Sequence, residues 1–544
     1  MAVQPHHEWP IPVETVRVAH AIFPAGNPYL AFRATLGMVY QDALFTSLFS
    51  RRGQPAESPA RLALVLVLQC AEGLSDRQAA DAVRTRIDWK YVLGLDVTDP
   101  GFDASVLCEF RRRLLSSDAE ALLLDRLLEH ARSAHLLQPR GRQRTDSTRV
   151  LAAIQHVNRL ECIGETMRQT LNVLAVADPA WLQGWVPAAW FERYGRRFAE
   201  FRLPQARAAR YALAATIGTD GFLLLTALND PTTPAGLRDL PAVQILWEVW
   251  RQQFYAFAGT AQWRSAEDCP PANRLINSPY DPDARCAKKR RASWVGSKIH
   301  LTETGEPDHP HLITAVQTTG PALPDHQILP ELHAQLQQRT GPPTEHIVDA
   351  GYMTGDDVVQ SLARGVSLLG PIINDFSWQA RAEGGFAVAA FTVDWNQERV
   401  VCPQGHASRS WKPYIDRYDR SVIAVQFAPA VCRACPVQAD CTRAAGRKLT
   451  LQAREHHETM LAIRRRQSTT EFQQAYAVRA GIEGTISQAV HRCEMRRARY
   501  RGQAKVHLQA VLTAAALNVT RIGAWLLGTP LARSRQSAFT RLAA

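Results

Sequence analysis

The residues able to do chemistry in this chain are three scattered acids, a tyrosine–arginine pair beside one of them, and a group of cysteines. Tyr476, Arg479, Glu483 and Ser487 recur three and four residues apart, so on a single helix they form one stripe. Such a stripe can hold a metal through the glutamate and a phosphate through the arginine and the tyrosine hydroxyl. Gly481 and Gly484 flank the glutamate, although a helical glycine costs about 1 kcal/mol relative to alanine. Close approach of another backbone would explain them. The plain alternative is an amphipathic helix with a salt-bridged glutamate. Asp146 lies inside a β-patterned stretch, and Asp349 ends the short apolar run Ile347-Val348. Their plain alternatives are an edge-strand charge and a turn cap. If the three carboxylates converge, they can hold a pair of Mg²⁺ ions about 3.5–4 Å apart, the arrangement that phosphodiester cleavage uses.

Cys402-Pro-Gln-Gly-His406 and Cys432-x₂-Cys435-x₅-Cys441 make a second constellation. A Cys-x₂-Cys pair with a third and a fourth cysteine can close a tetrahedral structural zinc site, with His406 able to replace one sulfur. Four reduced thiols packed as small apolar side chains are the alternative. A third feature follows Glu483. Arg479, Arg492, Arg496, Arg497, Arg499, Arg501 and Lys505 face only two acids, Glu483 and Glu494, over the same span. That density fits a track for nucleic-acid phosphates, with Tyr500 able to stack on a base. Lys298 and His300 alternate outward on a predicted strand, within reach of DNA or the metal site.

The elements that must position these residues can be read from pattern. Residues 58–140 are helical: an apolar run ends at Gly73, Ser75 and Gln78 form a capping box, and a third helix starts at Asp103 and runs through residues 110–115. Helix, glycine turn, capped helix suits a helix-turn-helix DNA reader, and equally any small bundle. Residues 142–150 switch to β pattern around Asp146. Residues 155–275 return to a tryptophan-rich helical pattern in which Trp181, Trp185, Trp190, Trp247 and Trp250 read as core or interface anchors. Strands follow at 295–302 and 312–318. Asp325 then caps a helix through Leu332 and Leu336. The Ile347-Val348 strand, a helix over 356–364 and a buried strand over 366–373 complete the alternation.

Bulk properties agree with a DNA partner. The chain has 544 residues, net charge +12, 46% hydrophobic and 21% charged content, which describes a globular protein of several domains. Arginine's planar fork matches phosphate, so a polyanionic partner is expected. No charged leader followed by an apolar run opens the sequence, and no stretch approaches the ~18 apolar residues of a membrane helix. A cytoplasmic protein with no membrane partner is therefore expected. Ten cysteines in a chain of this length, four of them crowded together, suggest metal rather than disulfides.

Thr145-Asp146-Ser147-Thr148, then Val348-Asp349-Ala350-Gly351-Tyr352, then Tyr-x₂-Arg-x₃-Glu, resembles the DDE transposases of bacterial insertion sequences. The likeness runs from about residue 55 to the end. It implies an α/β fold: a ribonuclease-H-like mixed sheet with flanking helices and two insertions, preceded by an all-α N-terminal domain. The expected divisions are an N-terminal helical DNA-binding domain at 1–140 and a catalytic core at 141–154, 278–374 and 456–525. A helical insertion spans 155–277, a cysteine-cluster insertion 375–455, and a basic tail 526–544. The resemblance also implies catalytic Asp146, Asp349 and Glu483 holding Mg²⁺ or Mn²⁺, and cleavage and strand transfer on double-stranded DNA at inverted-repeat ends. A homodimer is implied too. The family's usual lysine seven residues after the glutamate is Val490 here, and Arg492 is a stand-in. A nuclease without strand transfer and a catalytically inert DNA-binding repressor are the rival readings.

Overall fold

The β-patterned stretch around Asp146 forms the middle of a six-stranded mixed sheet in the computed structural model. The structure describes all residues except 1, 4, 7–8, 155–157, 258–259, 290–291, 373–374, 417–419, 531–541 and 543–544. Most of the basic tail expected over 526–544, and the start of the helical stretch at 155, therefore lie outside the described residues.

In chain order the strands are β1 (Gln143–Leu151), a separate hairpin of β2 (Phe254–Phe257) and β3 (Thr260–Trp263), β4 (Arg285–Lys289), β5 (Ala292–Thr304), β6 (Ile313–Thr319), β7 (Glu345–Ile347) and β8 (Ser367–Leu369). The long β5 pairs antiparallel with β1 on one side, and with β4 and β6 in succession on the other. β7 and β8 continue the sheet in parallel beyond β1. The last strand is shorter than the expected 366–373. Just past its end Gly370 packs against the Val348 carbonyl, with no room for a Cβ.

Helices cover the sheet. Gln503–Leu526 is buried along nearly its whole length. It packs on β6 and on the N-terminal helices Pro28–Leu36, Pro59–Glu72 and Leu122–Ser133. Asn518, fully buried, accepts from Ile313 N and donates to Ile313 O, so its amide satisfies the β6 backbone at a register shift. One apolar cluster runs without a break from Phe32 and Leu64 through Val150 and Leu301 to Leu517. The N-terminal helices and the sheet share that core. The capping box at Ser75 and Gln78 forms as expected. The third helix begins at Ser105, with Asp103 accepting from its first amide.

A second core is built from residues within 160–276, among them buried Trp190 and Trp250. Trp181, Trp185 and Trp190 meet edge to face in a ladder, while Trp247 is exposed. One helix here, Arg207–Asn229, is long and apolar enough to cross a membrane, contrary to the sequence expectation that no stretch comes close. Ile217, Leu224, Leu225 and Leu228 point from it into this core. Phe391, Val400, Val425, Phe427, Leu449 and Leu451 form a smaller core beside the clustered cysteines.

Candidate active site

β1 holds Asp146 at mid-strand, opposite Leu301 of β5. Parallel pairing of Arg144 with Ile347 brings Asp349, two residues past Ile347, level with Asp146 at the neighbouring strand end. Asp349 then caps a short 3₁₀ turn, its Oδ1 accepting from Gly351 N at 2.8 Å. Glu483 arrives from the helix Ala480–Arg492, which lies across the sheet.

Arg479 joins two of these acids. Its Nη1 donates to Asp146 Oδ2 at 2.9 Å and its Nη2 to Glu483 Oε1 at 2.6 Å. Arg479 and Asp146 side chains are only 15% and 16% exposed, whereas Glu483 is 61% exposed. The second Asp146 oxygen accepts from Ser147 N. Asp349 completes the group electrostatically. Burial pushes its carboxyl up, the negative charges of Asp146 and Asp325 push it further, and Arg479 opposes them. Burial likewise raises the Tyr476 phenol, with Asp349 and Asp146 adding to the shift. The Tyr476 ring stacks on Phe472 at 5.6 Å.

The single helical stripe expected here is broken. One helix ends at Ala477 and the next starts at Ala480, so Arg479 sits in the join, and Ser487 lies exposed further along. The backbone of Val478 and Arg479 stays right-handed helical across the join, so the i,i+4 contact of Arg479 with Glu483 survives. The reason for Gly481 also differs from the expectation. A Cβ there would fall 2.1–2.3 Å from the guanidinium of Arg144, a side chain rather than a backbone, and Gly484 has open space around it.

Arg144 belongs to a buried ion cluster that fixes the glutamate helix on the sheet. Its Nε donates to Glu303 and its Nη1 to Val478 O. Glu303, fully buried, also accepts from Arg521 and Thr485. Removing one partner from such a cluster costs about 3–5 kcal/mol, because a buried charge is left bare.

Sequence reasoning missed a fourth carboxylate. Asp325 does not cap the helix through Leu332 and Leu336: that helix is Leu329–Arg339, its cap position is Ile328, and Asp325 opens the short 3₁₀ turn before it. Instead Lys298 donates to Asp325 Oδ1 at 2.7 Å and to Leu323 O at 2.7 Å. A Cβ added at Gly351 would touch Asp349 Oδ1 at 3.0 Å and Asp325 Oδ2 at 3.1 Å, so both carboxylates face the same small space. An aspartate after a Pro–x run reads as a cap, and only the fold reveals its second use. Lys298 is therefore tied up beside the acids rather than projecting freely. His300 is buried, bonded to the Tyr352 hydroxyl at 2.6 Å, and burial holds it down at about 4, as a neutral ring.

The basic residues after Glu483 divide. Arg492 donates to Ala71 O and turns toward the N-terminal helices, away from the acids. Arg496 Nε is buried without a hydrogen-bond partner among the described residues, while backbone bonds of Arg496 and Ala498 pin this segment to Leu151 at the end of β1. Arg497 and Lys505 are exposed. Arg499 lies 3.7 Å from Glu494, and Arg501 sits over the Tyr280 ring.

Cys402, Cys432, Cys435 and Cys441 line one cavity together with His406. Arg447 N donates to Cys432 Sγ, and Cys402 starts a tight turn through Gly405. All four are free thiols. Among the described residues, no three His, Cys, Asp or Glu side chains stand close enough to hold a metal ion as they are, here or at the acids. At the acids the donor type fits a hard divalent cation, and Arg479 bonds two of the carboxylates.

Two family models match the chain. One, described as "Transposase DDE domain", matches residues 401–523, a span that holds the cysteines, Glu483 and the basic residues after it. The other, described as "Transposase domain (DUF772)", matches residues 17–113 in the N-terminal helices. No curated protein and no solved structure matches.

Proposed function

We propose that the chain, which matches transposase family models over residues 17–113 and 401–523, is a DDE transposase of insertion-sequence type that cleaves double-stranded DNA at an element's ends and joins the freed ends to target DNA. The observation that carries the reading is Arg479 bonded at once to Asp146 and Glu483, with Asp349 beside them. Asp146 and Glu483 are far apart in sequence, yet one guanidinium joins them, and Asp349 lies near enough to feel both Asp146 and Arg479. The sheet order, with β5 reversed between β1 and β6 and with β7 and β8 parallel to β1, supports a ribonuclease-H-like core.

Asp146, Asp349 and Glu483 would hold Mg²⁺ or Mn²⁺. A cation held by them would supply Lewis-acid activation of an attacking oxygen and charge stabilisation of a leaving one at phosphorus. Before that, the chain's own residues hold the site closed. Arg479 shields Asp146 and Glu483 from mutual repulsion. Once released, its fork is suited to a phosphate oxygen. Lys298, steadied by Asp325, adds a positive charge near the acids, and Tyr476 offers a hydroxyl beside Arg479. Exposed Arg497 and Lys505, with Arg499 and Arg501, would track the flanking phosphates. Two ends must be brought together, so a homodimer is part of the proposal, as is action in the bacterial cytoplasm.

The domain divisions given above stand as part of this reading. So does a structural zinc on Cys402, Cys432, Cys435 and Cys441, which needs their cavity to close slightly. Elemental analysis of the purified chain should return about one zinc per chain. A chain free of zinc would leave these cysteines as ordinary apolar lining.

The central test uses purified protein, end-containing DNA and a target plasmid in Mg²⁺. Asp349→Asn and Glu483→Gln should bind DNA like the parent and fail to cut it. Normal cutting by either variant would remove the site assignment. Cutting without joined products would favour a plain endonuclease, and binding without cutting by the parent would favour a repressor.

A further inference from the structure

The arginine run of the helix Ser105–Ser116 is not absorbed by the reading above, yet it meets the C-terminal basic segment at a cleft of about 450 Å³. Cys108, Leu115, Tyr500 and Leu508 give this cleft an apolar lining, and Arg112 and Lys505 stand at its edge. All three arginines of the run are ion-paired, and two of them are largely buried. Arg111 is ion-paired with Asp76, and Arg113 donates to Leu48 O and pairs with Glu109. Arg111 also lies 5.8 Å over one face of the Tyr500 ring, which fixes the ring as part of the wall. Lys505 is exposed and forms no ion pair among the described residues. The carboxylates nearby are both paired, Asp76 with Arg111 and Glu109 with Arg112 and Arg113, but Arg112 stays 75% exposed, so a phosphate can reach it at the expense of a surface ion pair.

A recess with an aromatic wall, apolar sides and cations at the mouth is complementary to a flat heterocycle joined to a phosphate. A paired base cannot enter it, because the partner strand would meet Arg112 and the mouth of the recess. A second copy of the chain fits poorly, since a two-fold contact at this cleft would set like charges against each other. Resting on the transposase reading, we propose that this cleft receives one unpaired base of bound DNA while Arg112 and Lys505 hold its flanking phosphates. The N-terminal helices and the C-terminal basic segment would then grip the same nucleotide from two sides.

The test compares a short mixed-sequence duplex carrying one unpaired central adenine with its fully paired parent, read by fluorescence anisotropy on the full chain. Preference for the unpaired duplex should be about tenfold, the effect of one stacked base. Cys108 is exposed, so Cys108→Trp can fill the cleft from the surface and should erase the preference while leaving affinity for paired DNA unchanged. A second arm needs no bulky substitution. An adenine tethered to an activated disulfide should form a mixed disulfide with Cys108, expelling the activating thiol, and Cys108→Ser should lose it. Equal affinity for both duplexes, or a preference that survives Cys108→Trp, overturns the proposal and leaves the transposase reading standing. Failure to bind either duplex overturns both. A Cys108→Trp chain that loses self-association but keeps the preference assigns the cleft to a second copy instead, and also overturns it.

Discussion

Asp349 is held in surroundings that oppose its ionisation: partial burial first, then Asp146 and Asp325. Its folded-state proton affinity is therefore above that of an ordinary aspartate, whose value is 3.8. The group's stabilising contribution is complete below that value and is lost as pH rises through the raised one. Asp349→Asn keeps an acceptor for Gly351 N–H and removes the repulsion. Without divalent cations it should melt higher than the parent at neutral pH, the gap closing as pH falls below 3.8. Identical melting curves at neutral pH would show that the negative charges do not strain one another. Asp146, Asp349 and Glu483 stood out as candidates because acids in a strand, at a strand end and beside helical glycines are conspicuous, and the fold brings them near one another. Asp325 and the double role of Arg479 were not, since each depends on neighbours brought in from distant positions.

The glutamate helix owes its seat to a missing side chain. Gly481→Ala would drive a methyl into the Arg144 guanidinium and should destabilise the protein by about 1–3 kcal/mol, the usual penalty of overpacking. Gly484→Ala meets nothing and should be neutral or stabilising by up to about 1 kcal/mol. Urea midpoints of the two variants should move in opposite directions, and equal shifts would contradict the packing. Capping and apolar runs made the N-terminal helices and the β1, β5 and β6 strands readable within a few residues. The interruption after Ala477 was hidden, because the three-and-four spacing of Tyr476, Arg479 and Glu483 suits one helix just as well. Arg207–Asn229 escaped notice for a related reason. Its polar residues, Thr216, Thr219 and Asp220 among them, interrupt the apolar run that a linear reading looks for.

Across the whole molecule, positive charge and core continuity bear on DNA together. Replacing Arg497, Arg501 and Lys505 by glutamine should flatten the dependence of log affinity on log salt by roughly 0.9 for each phosphate no longer neutralised. An unchanged slope would place the DNA elsewhere. Composition suggests a polyanionic partner, but it could not show that Arg492 donates to Ala71 O and is spent inside the protein. Nor could it show that the helix Gln503–Leu526 plugs both the sheet and the N-terminal bundle. That shared plug has a genetic consequence. A shortened translation product keeping only the leading helices would carry a bare greasy seam where Leu508, Val511 and Leu517 belong, and quality-control proteases would clear it. Expressed alone, the leading helices should therefore be recovered only as aggregate or fragments, under conditions in which the intact chain stays in solution.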